Sequence, residues 1–261
     1  TMFCGYFLTY FMSPLKTMLE QELLWDSLEY GIFTSAYGWF NVFFLMLIFG
    51  GIILDRMGVR FTGMGACTLM IIGCLLKYYA ISTTFPEGET LLGIKTQVAL
   101  AAIGYAIFGV GIEIIGITVS KIIVKWFTGH ELALARGSEM AVARIGTIFA
   151  LSVTAPLAIY FKDIAAPIFI ALIMLCIGLL TFFVYMFYDR KFDAQVENSE
   201  ENKEDDTFHL RDLVLVVTNK GFWLLALLCV LFYSAIFPFL KYATELMVQK
   251  YNVNPELAGS I

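Results

Sequence analysis

A glutamate and an arginine stand where long apolar runs leave little room for idle charge. Glu113 lies in Gly109-Val110-Gly111-Ile112-Glu113 and Arg144 in Ala143-Arg144-Ile145-Gly146-Thr147. A charged side chain at mid-bilayer costs about 2.5–3.5 kcal/mol on insertion scales, so such residues are paired or functional. The turn between the two runs centres near Gly129 and His130, about 17 residues after Glu113 and 14 before Arg144. At a helical rise of about 1.5 Å per residue, their depths differ by roughly 5 Å. Two chemistries fit. The two can form a structural ion pair between adjacent helices, or they can hold a solute that carries both charges. In the second case the solute ammonium meets Glu113 and its carboxylate the bidentate fork of Arg144.

Other polar and aromatic residues give weaker signals. Tyr37, Trp39 and Asn41 in one run and Tyr233 and Phe237 in a later one can line a cavity, although most membrane aromatics simply pack. Arg136 and Glu139 are three apart and read as an interfacial helix pair, with proton carriage by Glu139 as the weaker reading. Lys77, Lys121 and Lys241 lie towards run ends and are expected to snorkel to the interface. The two histidines, His130 and His209, fall in loops without clustered ligands, so no metal site is expected. Gly104, Gly109, Gly111 and Gly116 follow no strand, which argues against a nucleotide loop and for close helix packing. No catalytic constellation and no cofactor site are expected.

The elements that must position these residues are membrane helices. The 261 residues are 59% hydrophobic and 15% charged, with a mean hydropathy of +0.79, and about 20 apolar residues span a hydrocarbon core. Seven spans are expected: a first ending near Pro14, then Gly31 to Leu54, Phe61 to Ser82, Leu92 to Val124, Leu134 to Phe161, Ala165 to Tyr188 and Gly221 to Tyr242, with Glu256 to Ile261 opening an eighth. The chain opens on an apolar run at Thr1, which is read as a first helix cut short. Arg56, Arg60, Lys125, Arg190, Lys191, Lys203, Arg211 and Lys220 cluster in one set of loops, which is therefore cytoplasmic. Of the net charge of −5, the stretch Asp193 to Asp206 alone contributes −6, so no basic face for nucleic acid remains. Residues 1–188 are read as a six-helix bundle, 189–219 as a solvated acidic linker and 220–261 as the start of a second bundle. Cys4, Cys67, Cys74, Cys176 and Cys229 lack CxxC spacing and read as free apolar thiols.

Between the second and third spans the sequence runs Gly51, three apolar residues, Asp55, Arg56, Met57, Gly58, Val59, Arg60. Gly58 can turn with positive φ, Gly51 can admit a facing helix, Asp55 can cap a helix N-terminus, and Arg56 and Arg60 suit an anionic membrane face. This loop resembles the signature loop of the major facilitator superfamily with every defining position present. The resemblance implies two pseudo-symmetric six-helix halves, with Gly51, Asp55, Arg56, Gly58 and Arg60 latching them in one state of an alternating-access cycle.

Tyr37-Gly38-Trp39-Phe40-Asn41-Val42, Phe108 to Glu113, Trp126 to Leu132, Ala143 to Gly146 and Phe237-Pro238-Phe239 together resemble the branch of that superfamily containing lysosomal dipeptide transporters and bacterial relatives. In that branch the glutamate of span four and the arginine of span five are associated with the dipeptide site, which implies that role for Glu113 and Arg144. The chain departs from the animal pattern at Ile112 and Ile114 and at Met12-Ser13-Pro14. The expected function is transport of small solutes, dipeptides or other zwitterions, with membrane lipid and the solute as partners. Another cargo (an organic anion, sugar or drug) and a solute sensor that does not transport are the alternatives. Proton coupling and an accessory subunit stay open. Short loops and the lack of an N-glycosylation sequon favour a bacterial inner membrane over a lysosomal one.

Overall fold

A computed structural model describes residues 1–83, 85–86, 90–91, 93–197, 215, 217–254 and 257–259. The apolar runs fold as helices, because in lipid a helix satisfies its backbone donors and acceptors within one segment. In chain order these are α1 (Met2–Tyr10), α2 (Lys16–Glu22), α3 (Ser27–Ser35), a 3-10 turn (Ala36–Gly38), α4 (Trp39–Phe43), α5 (Met46–Ser82), α6 (Thr96–Trp126), α7 (Gly129–Phe161), α8 (Ala165–Glu197) and α9 (Lys220–Tyr251). The five helices α5 to α9 are long and apolar enough to cross a membrane. Among the described residues the only strands are β1 (Thr90–Leu91) and β2 (Ile94–Lys95), a short antiparallel ribbon. The chain is an all-α, multi-pass membrane protein.

The second span departs from the continuous helix expected over Gly31 to Leu54. It starts earlier, at Ser27, because Asp26 and Glu29 form a capping box: the Glu29 amide donates to Asp26 Oδ1 at 2.6 Å and the Asp26 amide to Glu29 Oε2 at 2.9 Å. It then tightens into the 3-10 turn at Ala36–Gly38 and breaks again at Leu45, where φ is 52°. The rest of the span is the first part of α5. The chain reverses inside α5 at Gly58, with φ 76° and ψ 171°, a conformation open essentially to glycine alone.

Helix α6 lies at the centre. It packs along α5 on one side and against α3, the 3-10 turn and α4 on another, while α1 packs on α7. Gly73 and Gly104 let α5 and α6 approach backbone to backbone: a Cβ on Gly104 would sit 2.8 Å from the Gly73 carbonyl oxygen. Phe11, Phe33, Met70, Tyr105, Phe108, Ile115 and Ile168 are fully buried between these helices. Outward residues such as Ile148, Ile177 and Leu180 are exposed on the surface that lipid covers in a bilayer.

Helix α9 touches the bundle at one end. Orienting the chain by its lysine and arginine distribution, this is the external end. There Lys16 pairs with Glu245, and Ser13 Oγ donates to the carbonyls of Leu240 at 3.0 Å and Lys241 at 2.9 Å. Towards the cytoplasm, Trp223, Leu224, Leu228 and Leu231 are exposed. Among the described helices, α9 is thus closed onto the bundle at the external end, forming an external seal.

The acidic segment begins differently from the expected linker. Helix α8 runs on to Glu197, and Asp189 is fully buried rather than solvated. Positions 198–214, 216 and 255 lie outside the described residues, as do positions 256, 260 and 261 of the expected eighth span, of which 257–259 form a turn.

Candidate functional site

Gly109 sets the geometry around Glu113. A Cβ there would meet the Tyr37 carbonyl oxygen at 2.1 Å, so only glycine lets the 3-10 turn lie directly on α6. From that contact Tyr37 reaches one helical turn along α6 and donates its hydroxyl to Glu113 Oε1 at 2.6 Å. Asn41, one turn further along its own segment, donates Nδ2 to the Gly109 carbonyl at 3.1 Å. Its Oδ1 is buried with no hydrogen-bond donor among the described residues. Glu113 and Asn41 thus leave acceptor capacity suited to a group rich in N–H donors, such as an ammonium.

Arg144 lies on α7 beside the small residues Ala143, Gly146 and Thr147 that pack towards α1, and its own side chain is exposed. It forms no ion pair with Glu113 or any other carboxylate among the described residues. The charges of Glu113 and Arg144 are both felt at the Tyr6 hydroxyl. They are felt as well at Tyr10, one turn further along α1. Tyr6 and Tyr10 were invisible to a motif search because the first helix carries no charge to mark its inner face. Tyr233 stacks near Phe237 with ring centroids 5.2 Å apart. Trp39 is placed elsewhere: it packs with Phe40 on Ala36, Ala102 and Ala106. Glu139 is held by Arg136 at 3.5 Å, and Arg136 also donates to Ser120 Oγ at 2.5 Å.

Two of the three lysines expected to snorkel do not. Lys77 is fully buried, its Nζ without a hydrogen-bond partner among the described residues and within 4.6–5.0 Å of the Phe11, Tyr105 and Phe108 ring centroids. Lys241 turns inwards too, donating to the Thr9 carbonyl at 2.7 Å and to the Tyr105 hydroxyl. Counting residues from a span end gives depth but not the face of the helix, and both face inwards. Lys121 reaches the cytoplasmic end, where it pairs with Asp55 at 2.6 Å.

The Asp55 loop is thus held differently from a helix cap, through Lys121 on α6. Arg60 donates Nε to Asp189 at 2.7 Å and also pairs with Asp193. Lys125 bridges to Asp189 at 2.8 Å and to Asp193 at 2.5 Å, and Asp189 further accepts from the Tyr185 hydroxyl at 2.8 Å and Trp126 Nε1 at 3.3 Å. Arg60, Lys121, Lys125, Asp189 and Asp193 line a cleft of about 680 Å³ with Met57, Phe61 and Met186. Space for a Cβ is open at Gly51, and Gly50 is the tightly packed position, where a Cβ would lie 2.7 Å from Ile114 Cγ1.

A loop with this spacing, set between helices of this layout, defines a transporter-type bundle, and the chain belongs to the Major Facilitator Superfamily, whose profile matches residues 1–261. Among curated proteins it is similar to the lysosomal dipeptide transporter MFSD1 of Danio rerio, 24% identical over 267 residues that cover 97% of this chain and 54% of that protein. The Homo sapiens transporter of the same name is 23% identical over 265 residues, covering 95% of this chain and 52% of its own length. A further relative, "Probable anion transporter 2, chloroplastic" of Oryza sativa subsp. japonica, is 29% identical over 143 residues, covering 55% and 24%. The chain spans about half the length of the dipeptide transporters it matches. No solved structure matches it.

Proposed function

We propose that the whole protein is a secondary transporter of small zwitterionic solutes, dipeptides foremost, that works by rocking two helical halves about a midplane site. The observation that carries this reading is that Glu113 and Arg144 form no ion pair among the described residues. A structural bridge would place the two side chains in contact, whereas here Glu113 accepts from Tyr37 and Arg144 is exposed. Glu113 holds the solute ammonium with Asn41 Oδ1 as a second acceptor, and Arg144 holds the carboxylate. Tyr6, Tyr10 and Tyr233 supply polar aromatic walls. The loop at Asp55 and the cluster around Asp189 brace the cytoplasmic reversal within α5 and the cytoplasmic ends of α6 and α8, where a latch between halves would act. A bacterial inner membrane is the proposed location, on the short connections between spans.

The test is competition for uptake of a labelled dipeptide by the full-length protein in vesicles. Free dipeptide competes. N-acetylated and C-amidated forms each lose one charged end and compete at least about tenfold less well, since a hydrogen bond to a charged group is worth about 1.5–3 kcal/mol. Equal competition by blocked peptides would sink the zwitterion reading. Competition lost only with the amidated form would favour an organic anion, the second reading, which the guanidinium of Arg144, without an ion pair among the described residues, supports.

A further inference from the structure

Tyr37 touches both the candidate solute anchor and the external seal. Its hydroxyl is bound to Glu113 at 2.6 Å. Its ring centroid lies 5.9 Å from Lys241 Nζ and 5.5 Å from the ring of Tyr105. Lys241 is the centre of the seal: Nζ donates to the Thr9 carbonyl and the Tyr105 hydroxyl, while its own carbonyl accepts from Ser13 and, at 3.5 Å, from the Tyr30 hydroxyl. The Tyr105 hydroxyl in turn donates to the Thr9 carbonyl at 2.7 Å. Tyr10, whose ring centroid is 5.4 Å from the same Nζ, completes the aromatic layer.

The ring and hydroxyl of a tyrosine are one rigid group, so a bond that fixes the hydroxyl also fixes where the ring stands. We propose that Tyr37 is a positioning residue through which Glu113 controls closure of the external end. With Glu113 free of solute, its carboxylate holds the Tyr37 hydroxyl by a charge-assisted bond, and the ring stands beneath Lys241 as part of the layer that receives it. An ammonium arriving at Glu113 competes for that carboxylate and weakens its hold on Tyr37. The ring is then free to turn about χ1 and χ2, Lys241 loses one of its aromatic faces, and α9 is released from the bundle. The 3-10 turn suits this role, because Tyr37 sits in a short non-α segment between two breaks rather than inside a regular helix. The inference rests on reading Glu113 as the anchor for a solute ammonium, and it adds the route by which occupancy is felt some distance away.

The experiment measures the external distance directly, without solute. Spin labels at Leu24→Cys and Tyr251→Cys, both exposed at the external ends of α2 and α9, report sealed and open populations in the full-length protein, in lipid and free of native cysteines. Lys241→Met must open the seal, which establishes that the labels read it. Tyr37→Phe keeps the ring and removes only the hydroxyl, and Glu113→Gln keeps the size and removes the charge. Each is expected to raise the ratio of open to sealed protein by about tenfold, and the double variant to do no more than either alone, because both break one link. Chromatographic retention and melting temperature confirm folding. A Tyr37→Phe protein with the wild-type distance distribution, additive effects of the two substitutions, or a seal indifferent to Lys241→Met would each overturn the proposal. Adding dipeptide to the wild-type protein is a separate arm: no shift there counts against the dipeptide reading, while the solute-free arms still decide the role of Tyr37.

Discussion

Asparagine in place of Asp189 is the sharpest perturbation of the cytoplasmic brace. Asp189 is fully buried and takes four donors: Arg60 Nε on Oδ2, and Lys125 Nζ, Tyr185 Oη and Trp126 Nε1 on Oδ1. Asparagine keeps one oxygen, which can retain the three donors on the Oδ1 side, but it turns an NH2 group towards Arg60. One charge-assisted bond is lost, worth about 1.5–3 kcal/mol, and two cations lose their buried counterion. Breaking a fully buried pair costs about 3–5 kcal/mol. Here Arg60 and Lys125 are 31% and 29% exposed and keep Asp193, so the lower end applies, about 3 kcal/mol. Asp193 is 34% exposed, and Asp193→Asn should cost about 1 kcal/mol or less. Melting of the full-length protein followed by tryptophan fluorescence should therefore fall about three times further for Asp189→Asn than for Asp193→Asn. Equal shifts, or a larger one for Asp193→Asn, would refute the argument that burial of Asp189 organises the cluster.

Two further outcomes follow from the same geometry. Asp55→Asn removes the charge that meets Lys121 at 2.6 Å while keeping the size; exchange between inward- and outward-open states, read by counterflow rates, should slow while the dipeptide Kd stays within about fivefold, since an exposed pair is worth about 1 kcal/mol or less. Gly109→Ala drives a methyl into the Tyr37 carbonyl at 2.1 Å; the turn must move off α6, and saturable uptake should fall at least about tenfold, an overpacking penalty of about 1–3 kcal/mol being felt at the Tyr37 to Glu113 bond. Wild-type uptake by Gly109→Ala would show that this contact does not set the site.

The sequence carried the spans well and their local breaks poorly. Apolar length marks a span whatever its backbone does, so Gly31 to Leu54 reads as unbroken helix although the turn at Ala36–Gly38 and Leu45 interrupt it. The reversal at Gly58 was legible, because the Asp-Arg-x-Gly spacing places a glycine between two spans. The depths of Glu113 and Arg144 could be counted from their shared turn. Their lack of contact could not, because it depends on the rotation of each helix and on Tyr37, 76 residues away from Glu113 in the chain. Asp189 shows the same limit: in an acid-rich stretch it looked solvated, and only the fold brings Arg60 from 129 residues away to meet it. Lys77 and Lys241 were misjudged for a related reason, since distance to a span end says nothing of the aromatic layer that receives them.

Whether Glu113 and Arg144 hold a solute rather than each other is decided by the double variant Glu113→Gln, Arg144→Gln. Uptake of a labelled dipeptide is measured in vesicles containing the full-length protein, with melting temperature taken on the same preparation. The expected result is a folded protein whose saturable uptake falls at least about a hundredfold, because both charge-assisted contacts to the solute are lost. A folded double variant that still takes up dipeptide at the wild-type rate would contradict it.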